Sequence, residues 1–397
     1  MIKRNFIVFA NSIEPNGISG SETILIETFR RIAKNFDTVL YTWRPGYKFY
    51  KSQKLNSVKY IVSNVPLLNN FYISFFTRIV YCFLLGFRLK IETPKNTFIY
   101  PSSDFWPDSI PAIILKSRYR NIKLLGTYFL TAPNPFVGFR EKGEVKAPSL
   151  NGIFYWLMQK PIFWFYKSFA DGIVVTSEPD LLRFPKQIKN KHFVVIRGGV
   201  DFSAIKKFKD ENKTVYKEKK YDAVYMGRFH PQKGVLELID IWNKVAKTNA
   251  KLKLVMIGDG PLMQQVKDKI KKLKMERMIL LTGYIFKSED RYKIFMQSKI
   301  ALHPALYDSG GMAVAEPMAF GLPAIAFDLE ALKTYYLKGM LKVEINDYNG
   351  FADAILKLLK DKLLYKKIQK EAVKEVYNRW NWDERANAFI RFVNNFN

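Results

Sequence analysis

Tyr225-Met226-Gly227-Arg228-Phe229-His230-Pro231-Gln232-Lys233-Gly234 is the stretch on which the reading of this chain turns. Residues 223–226 are apolar enough for a buried strand that ends at Gly227, and a helix begins near Pro231. Arg228 and Lys233 therefore stand at a strand exit and a helix start. The free N–H groups and positive dipole end of a helix favour phosphate at such a place. Arg adds a planar two-pronged donor, and Lys a mobile point charge. The plainer reading of the same residues is two solvated cations beside a turn.

Outward from this stretch the chain alternates strands and helices. Residues 252–257, 278–281, 300–303 and 324–327 read as further strands of the second half. In the first half, residues 6–10, 38–42, 60–63, 98–100, 123–127 and 172–176 read the same way, with helix-length segments such as 22–35 between them. Alternation of this kind argues for parallel sheets covered on both faces. Residues 206–213 are charged and lack apolar periodicity, which reads as a linker. The expected organisation is an α/β protein of two doubly wound, Rossmann-like domains facing a central cleft. The first covers residues 1–203, the linker 204–220 and the second 221–380. A last helix, 381–397, packs back towards the N-terminal domain. Ligands of such sheets bind beyond the strand C-termini.

The second informative stretch is Tyr307-Asp308-Ser309-Gly310-Gly311-Met312-Ala313-Val314-Ala315-Glu316. It follows the strand ending at His303 and opens a helix. Gly310 and Gly311 let backbone amides approach a ligand without a Cβ in the way. Asp308 and Glu316 are carboxylates eight positions apart, able to accept hydrogen bonds from sugar or ribose hydroxyls. Glu316 paired with a nearby Lys is the bland alternative.

A Gly-Arg…Lys-Gly turn, then Gly-Asp-Gly-Pro-Leu at residues 258–262, then an acid-x7-acid motif together resemble the large family of retaining GT-B glycosyltransferases, numbered four or group 1. The resemblance implies that Arg228 and Lys233 bind the donor diphosphate, with Gly227, Gly310, Gly311 and Met312 lining the donor site. It implies that Glu316 holds the nucleotide ribose and that Asp308 contacts the donor sugar. Asp308 stands where the family usually has Glu, one methylene longer. The turn Gly17-Ile18-Ser19-Gly20 after the first strand resembles the family's glycine-rich loop, which places Gly17 and Gly20 near the donor. Catalysis would rest on Arg228, Lys233, Asp308 and Glu316, with retention of anomeric configuration and a nucleotide sugar as donor.

Many family members carry a His after a central strand of the N-terminal domain. Here that region reads Gly126-Thr127-Tyr128-Phe129, and the three histidines are His192, His230 and His303. Asp104, in the loop after residues 98–100, is the acceptor-side candidate; a cap of the following helix is the alternative reading. There is no Asp-x-Asp motif, so no metal and no cofactor is expected.

The formal net charge is +28 and the pI about 9.8. Such a surplus favours nucleotide phosphates or an anionic membrane surface. No nucleic-acid-binding motif accompanies it, so nucleic acid is not an expected partner. The single cysteine, Cys82, forms no internal disulfide, and the first ten residues read as a strand rather than a secretory signal, leaving the cytoplasmic side as the expectation. Residues 71–89 and 153–169 are rich in aromatics mixed with Lys and Arg. They suit helices lying in a membrane interface, interrupted by Arg78 and by Lys160-Pro161 before either could span. The expected partners are thus a nucleotide-sugar donor, a glycan or lipid-linked acceptor and the inner face of the cell membrane. The rival readings are a nucleotide-sugar epimerase or phosphorylase on the same fold, and a non-catalytic binding protein that retains it.

Overall fold

The structure is a computed structural model that describes residues 4–13, 20–136, 150–216 and 218–396. It contains two compact units. The first is formed by the described residues up to Pro135, from 150 to Gly198 and from Trp382 onward; the second is built on Gly199–Asn381.

The first unit holds a seven-stranded sheet of β1 (Asn5–Phe9), β2 (Asp37–Trp43), β3 (Lys59–Ser63), β4 (Thr97–Pro101), β5 (Lys123–Tyr128), β6 (Gly172–Val175) and β7 (Phe193–Val195). Its order is β3-β2-β1-β4-β5-β6-β7, and every pairing is parallel. Helices cover both faces, so the central strands are apolar throughout: Phe6, Val8 and Phe9 of β1 are fully buried. The helix Gly20–Ile32 turns Ile24, Leu25, Phe29 and Ile32 inward at helical spacing. The last helix, Trp382–Asn394, packs on it and sends Phe389 between Phe6, Phe29 and Tyr100.

The second unit holds a six-stranded parallel sheet of β8 (Tyr221–Met226), β9 (Leu254–Ile257), β10 (Ile279–Gly283), β11 (Ser298–His303), β12 (Ala324–Phe327) and β13 (Met340–Val343), in the order β10-β9-β8-β11-β12-β13. Each sheet reverses its winding once, between β1 and β4 and between β8 and β11. The doubly wound α/β class expected from the alternation is the one found.

Four local readings change. The strands β7 and β13 had no clear signal, being short and only partly buried. The charged segment 206–213 lies mostly in a helix, Phe202–Asn212, capped by the Asp201 side chain on the Ala204 N–H. Its apolar pair Ile205 and Phe208, three apart, was too sparse to show as a period, yet both are buried. Pro161 does not interrupt its segment: the helix Leu150–Phe169 runs through it. Arg78 does not face outward, for its side chain is fully buried.

Candidate functional site

The winding of the second sheet reverses at β8 and β11, and the two quoted motifs are the loops that leave these strands. The chain brings them together through backbone packing. After β8, Gly227 donates to the Ile257 carbonyl at 3.0 Å and Phe229 to the Asp259 carbonyl at 2.8 Å. Gly258, at φ +145°, lies so close to the Gly227 carbonyl that a Cβ would meet its oxygen at 1.9 Å. Gly234, at φ +63°, would clash likewise with the Pro304 carbonyl. The Gln232 carbonyl accepts from Leu306 and Tyr307 at 2.9 and 3.2 Å, tying the first loop to the second. The Gly258–Leu262 stretch is thus a buttress behind the Arg228 turn.

On this frame Lys233 Nζ meets Asp308 Oδ2 at 2.5 Å, while His303 Nε2 lies 3.3 Å from the same oxygen. Asp308 Oδ1 accepts from the N–H groups of Gly310 and Gly311, both at 3.1 Å. Burial works against the ionised carboxyl, but the charge of Lys233 and the contacts of Lys233 and His303 hold Asp308 well below the usual carboxylate range. The amides of Gly310 and Gly311, expected to face a ligand, are therefore taken by Asp308. The following helix, Met312–Ala319, has no side-chain cap, and the Met312 and Ala313 N–H groups of its first turn make no hydrogen bond among the described residues, a kind of terminus that favours an anion. Arg228 is exposed and forms no ion pair among the described residues. Burial and the charges of Arg228 and Lys233 push His230 down to about 4, so it is neutral at pH 7.

Glu316 is not paired with a Lys. Arg291, on the helix Ser288–Met296, grips it with a fork, Nε to Oε2 at 3.2 Å and a terminal nitrogen to Oε1 at 3.3 Å. Arg291 also donates to Ser288 Oγ and the Ile285 carbonyl. A carboxylate offers about four acceptor positions, so Glu316 keeps room for hydroxyls beside this fork. Reading the sequence did not find Arg291: it lies 25 positions from Glu316 with no shared period.

In the first unit, Gly20 opens the helix Gly20–Ile32 and Gly17 lies outside the described residues. The loop after β4 carries Asp104, buried, with Oδ2 accepting from Gln159 Nε2. The helix Trp106–Arg118 is capped at Phe105 with no side-chain bond, so Asp104 does not cap it. Burial raises the Asp104 carboxyl to about 6, against the Gln159 bond, and Asp108 and Asp180 push it the same way. Asp108, unnoticed in the sequence, ties β1 to β4. Its Oδ1 accepts from Asn11 N–H at 2.5 Å and Ser12 N–H at 3.0 Å, and its Oδ2 from Ser102 and Ser103 at 2.8 and 2.6 Å. Its signal was present as an acid in the first turn of a helix. Among the described residues, no group of three or more His, Cys, Asp and Glu stands where it would hold a metal ion.

Two doubly wound parallel units, the second offering cations and helix amides where its winding reverses, define the GT-B class. Residues 206–375 match the family model of glycosyl transferases group 1. Among curated relatives, N-acetyl-alpha-D-glucosaminyl L-malate synthase of Bacillus anthracis is 26% identical over 168 residues, 42% of this chain and 43% of the relative. Alpha-monoglucosyldiacylglycerol synthase of Streptococcus pneumoniae is 24% identical over 253 residues, 61% of this chain and 55% of the relative. The matched stretches thus span about half the length of these relatives. Among solved structures, Anabaena HepE in complex with UDP and glucose has a TM-score of 0.70 at 14% identity, covering 98% of this chain and 99% of the other.

Proposed function

We propose that this protein is a retaining, metal-independent glycosyltransferase that moves a sugar from a nucleotide-sugar donor to a glycan or lipid-linked acceptor at a membrane surface. The observation that carries the proposal is the loop pair at β8 and β11. Arg228 stands exposed with no ion pair among the described residues, Lys233 is fixed by Asp308, and the helix Met312–Ala319 starts in the same loop as Asp308. That arrangement suits a diphosphate. Glu316, held by Arg291, suits the ribose hydroxyls of the same nucleotide.

In the proposed reaction the bond from the anomeric carbon to the diphosphate oxygen breaks. The acceptor oxygen bonds to that carbon from the same face, and its proton passes to the leaving diphosphate. Arg228, Lys233 and the Met312 and Ala313 amides stabilise the charge that grows on that leaving group. These cations supply the charge that a divalent ion supplies elsewhere. HepE was solved with UDP, which makes UDP sugars the first donors to try. The relative named as a glycosyldiacylglycerol synthase supports a lipid-linked acceptor.

Nucleotide sugars screened for protection against thermal unfolding test the donor reading, since a ligand of the native state raises its stability. The product's anomeric configuration, read by NMR from an EDTA-treated enzyme, tests the rest. No protection by any nucleotide sugar, an inverted product, or activity that needs added magnesium or manganese would each overturn its part of the proposal.

A further inference from the structure

The acceptor half carries a second feature that the donor reading leaves unused. A row of aromatic rings crosses the first unit. Phe71 stacks on Phe75 at 5.8 Å, Phe75 meets Phe105 edge-on at 6.3 Å, and Phe105 lies 5.4 Å from Tyr155. The row begins on the helix Phe71–Arg88, whose outer face is a stripe of bare apolar side chains, Phe76, Val80, Phe83 and Phe87 among them. Phe71 and Phe105 remain about half exposed, while Phe75 between them is buried.

The row ends on a polar pair. The Tyr155 hydroxyl lies 3.3 Å from Gln159 Nε2, and the same amide donates to Asp104, the chain neighbour of Phe105. Gln159 is held without freedom. Its Oε1 accepts from the Tyr128 hydroxyl at 2.9 Å and the Ala132 N–H at 2.7 Å, and its Nε2 also donates to the Leu130 carbonyl. The amide can therefore face Asp104 only as a donor. No cation pairs with Asp104 among the described residues. Asp104 sits in the loop at the C-terminal end of β4, beside β1, where the winding of this sheet reverses. Such a point in a doubly wound sheet is where ligands bind.

An apolar track that leads from a bare helix face to a buried carboxyl suits one kind of molecule: an amphiphile with a hydrocarbon chain and a hydroxylated head. A water-soluble glycan would make no use of the track. Resting on the glycosyltransferase reading, we infer that the row from Phe71 through Phe75 and Phe105 to Tyr155 carries the hydrocarbon of a lipid-linked acceptor, and that Asp104, positioned by Gln159, accepts a hydrogen bond from a hydroxyl of its head. The ionised Asp104 is the form that only accepts. Because burial lifts this carboxyl to about 6, head-group binding fades as pH falls through that value.

The test uses two probes, n-dodecyl β-D-glucoside below its micelle concentration and methyl β-D-glucoside, with UDP binding measured in the same preparations. Burial of even part of the chain should make the dodecyl compound bind at least about tenfold more tightly to the wild-type protein. Phe71→Ala and Phe105→Ala should each remove most of that preference and leave UDP binding unchanged. Equal binding of the two glucosides by the wild-type protein, or an undiminished preference in both variants, overturns the track. Asp104→Asn should abolish the pH dependence of dodecyl glucoside binding. Gln159→Leu removes a bond that favours the ionised carboxyl, so the midpoint should move upward; an unmoved midpoint overturns the positioning role of Gln159. Wild-type protein that binds the glucosides as described but not UDP would count against the donor reading alone.

Discussion

At the scale of residues, the two cations of the loop after β8 differ in what surrounds them, and this separates the roles proposed for them. Arg228 is exposed and forms no ion pair among the described residues, so Arg228→Ala should weaken donor binding by roughly 1.5–3 kcal/mol, the worth of a charge-assisted contact, with thermal stability unchanged. Lys233 is clamped to a nearly buried Asp308, so Lys233→Ala should weaken donor binding and also destabilise the second unit by about 1–3 kcal/mol, because the buried carboxylate keeps only the His303 contact and two amide bonds. Donor titration beside thermal unfolding separates the two, and equal stability of both variants would show that the pair does not hold the loop. Asp104 gives a pH prediction of opposite sign to the usual acid. Its folded value, about 6, lies above its ordinary one, so the native state binds the proton more tightly. Its contribution to stability therefore falls as pH rises from about 4 to about 6 and is flat beyond. Asp104→Asn should remove that slope and stabilise the protein at pH 7 by roughly 1–3 kcal/mol while impairing transfer. A variant less stable than wild type at pH 7 would contradict this. Arg228, Lys233, Asp308 and Glu316 could be singled out as candidates from the sequence because glycines and helix starts mark their neighbourhood. Arg291 and Gln159 could not, since each acts through a partner tens of positions away that only the fold brings near.

At the scale of elements, the helix Phe71–Arg88 shows why an apolar, aromatic run is ambiguous until its faces are sorted. By length and composition it is long and apolar enough to cross a membrane, yet only 28% of it is buried in the structure. The charge expected to interrupt it does not lie on the bare face. Arg78 points inward, donating to the carbonyls of Asn11 at 2.9 Å and Ile13 at 3.3 Å and stacking 4.2 Å over the Trp43 ring. Its role is to hold the segment after β1, not to meet lipid phosphate. The cations left for that role are Arg88, Lys160 and Lys167, all exposed, each worth about 1 kcal/mol near an acidic surface. Phosphatidylcholine vesicles with and without phosphatidylglycerol test the docking by flotation. Binding should need the acidic lipid, fall as salt screens the charges, and drop sharply in Phe76→Glu and Phe83→Glu, which place a charge on the apolar stripe. Unchanged flotation of both variants would remove this helix from the interface. The helix Phe202–Asn212 teaches the converse: with two buried apolar residues in eleven, it read as a linker because composition outweighs period when the buried face is so narrow.

At the scale of the whole molecule, the alternation of strands and helices was enough to give two doubly wound sheets, because parallel strands covered on both faces must be apolar along their length. It was not enough to give the edge strands β7 and β13, which pair on one side and are short and only partly buried. The last helix was expected to pack back towards the N-terminal domain, and its contacts show which residues it meets there. Trp382–Asn394 follows the second unit in sequence but completes the core of the first. Its Phe389 is fully buried against Phe6, Phe29 and Tyr100, and the rings of Phe392 and Phe396 fill the space over Gly172, where a Cβ would meet either at 2.7 Å. Arg31 of the helix Gly20–Ile32 also pairs with Asp383 at 2.7 Å, an exposed contact of small weight. Stability of the first unit thus depends on residues at the far end of the chain. Phe389→Ala should cost about 3–5 kcal/mol, the transfer of a buried ring plus the cavity it leaves. The loss belongs to the first unit, so calorimetry should show an early transition that UDP does not move, followed by a later one that UDP raises. A single transition shifted as a whole and still raised by UDP would mean that the two units unfold together, and that the last helix stabilises the entire chain instead of one sheet.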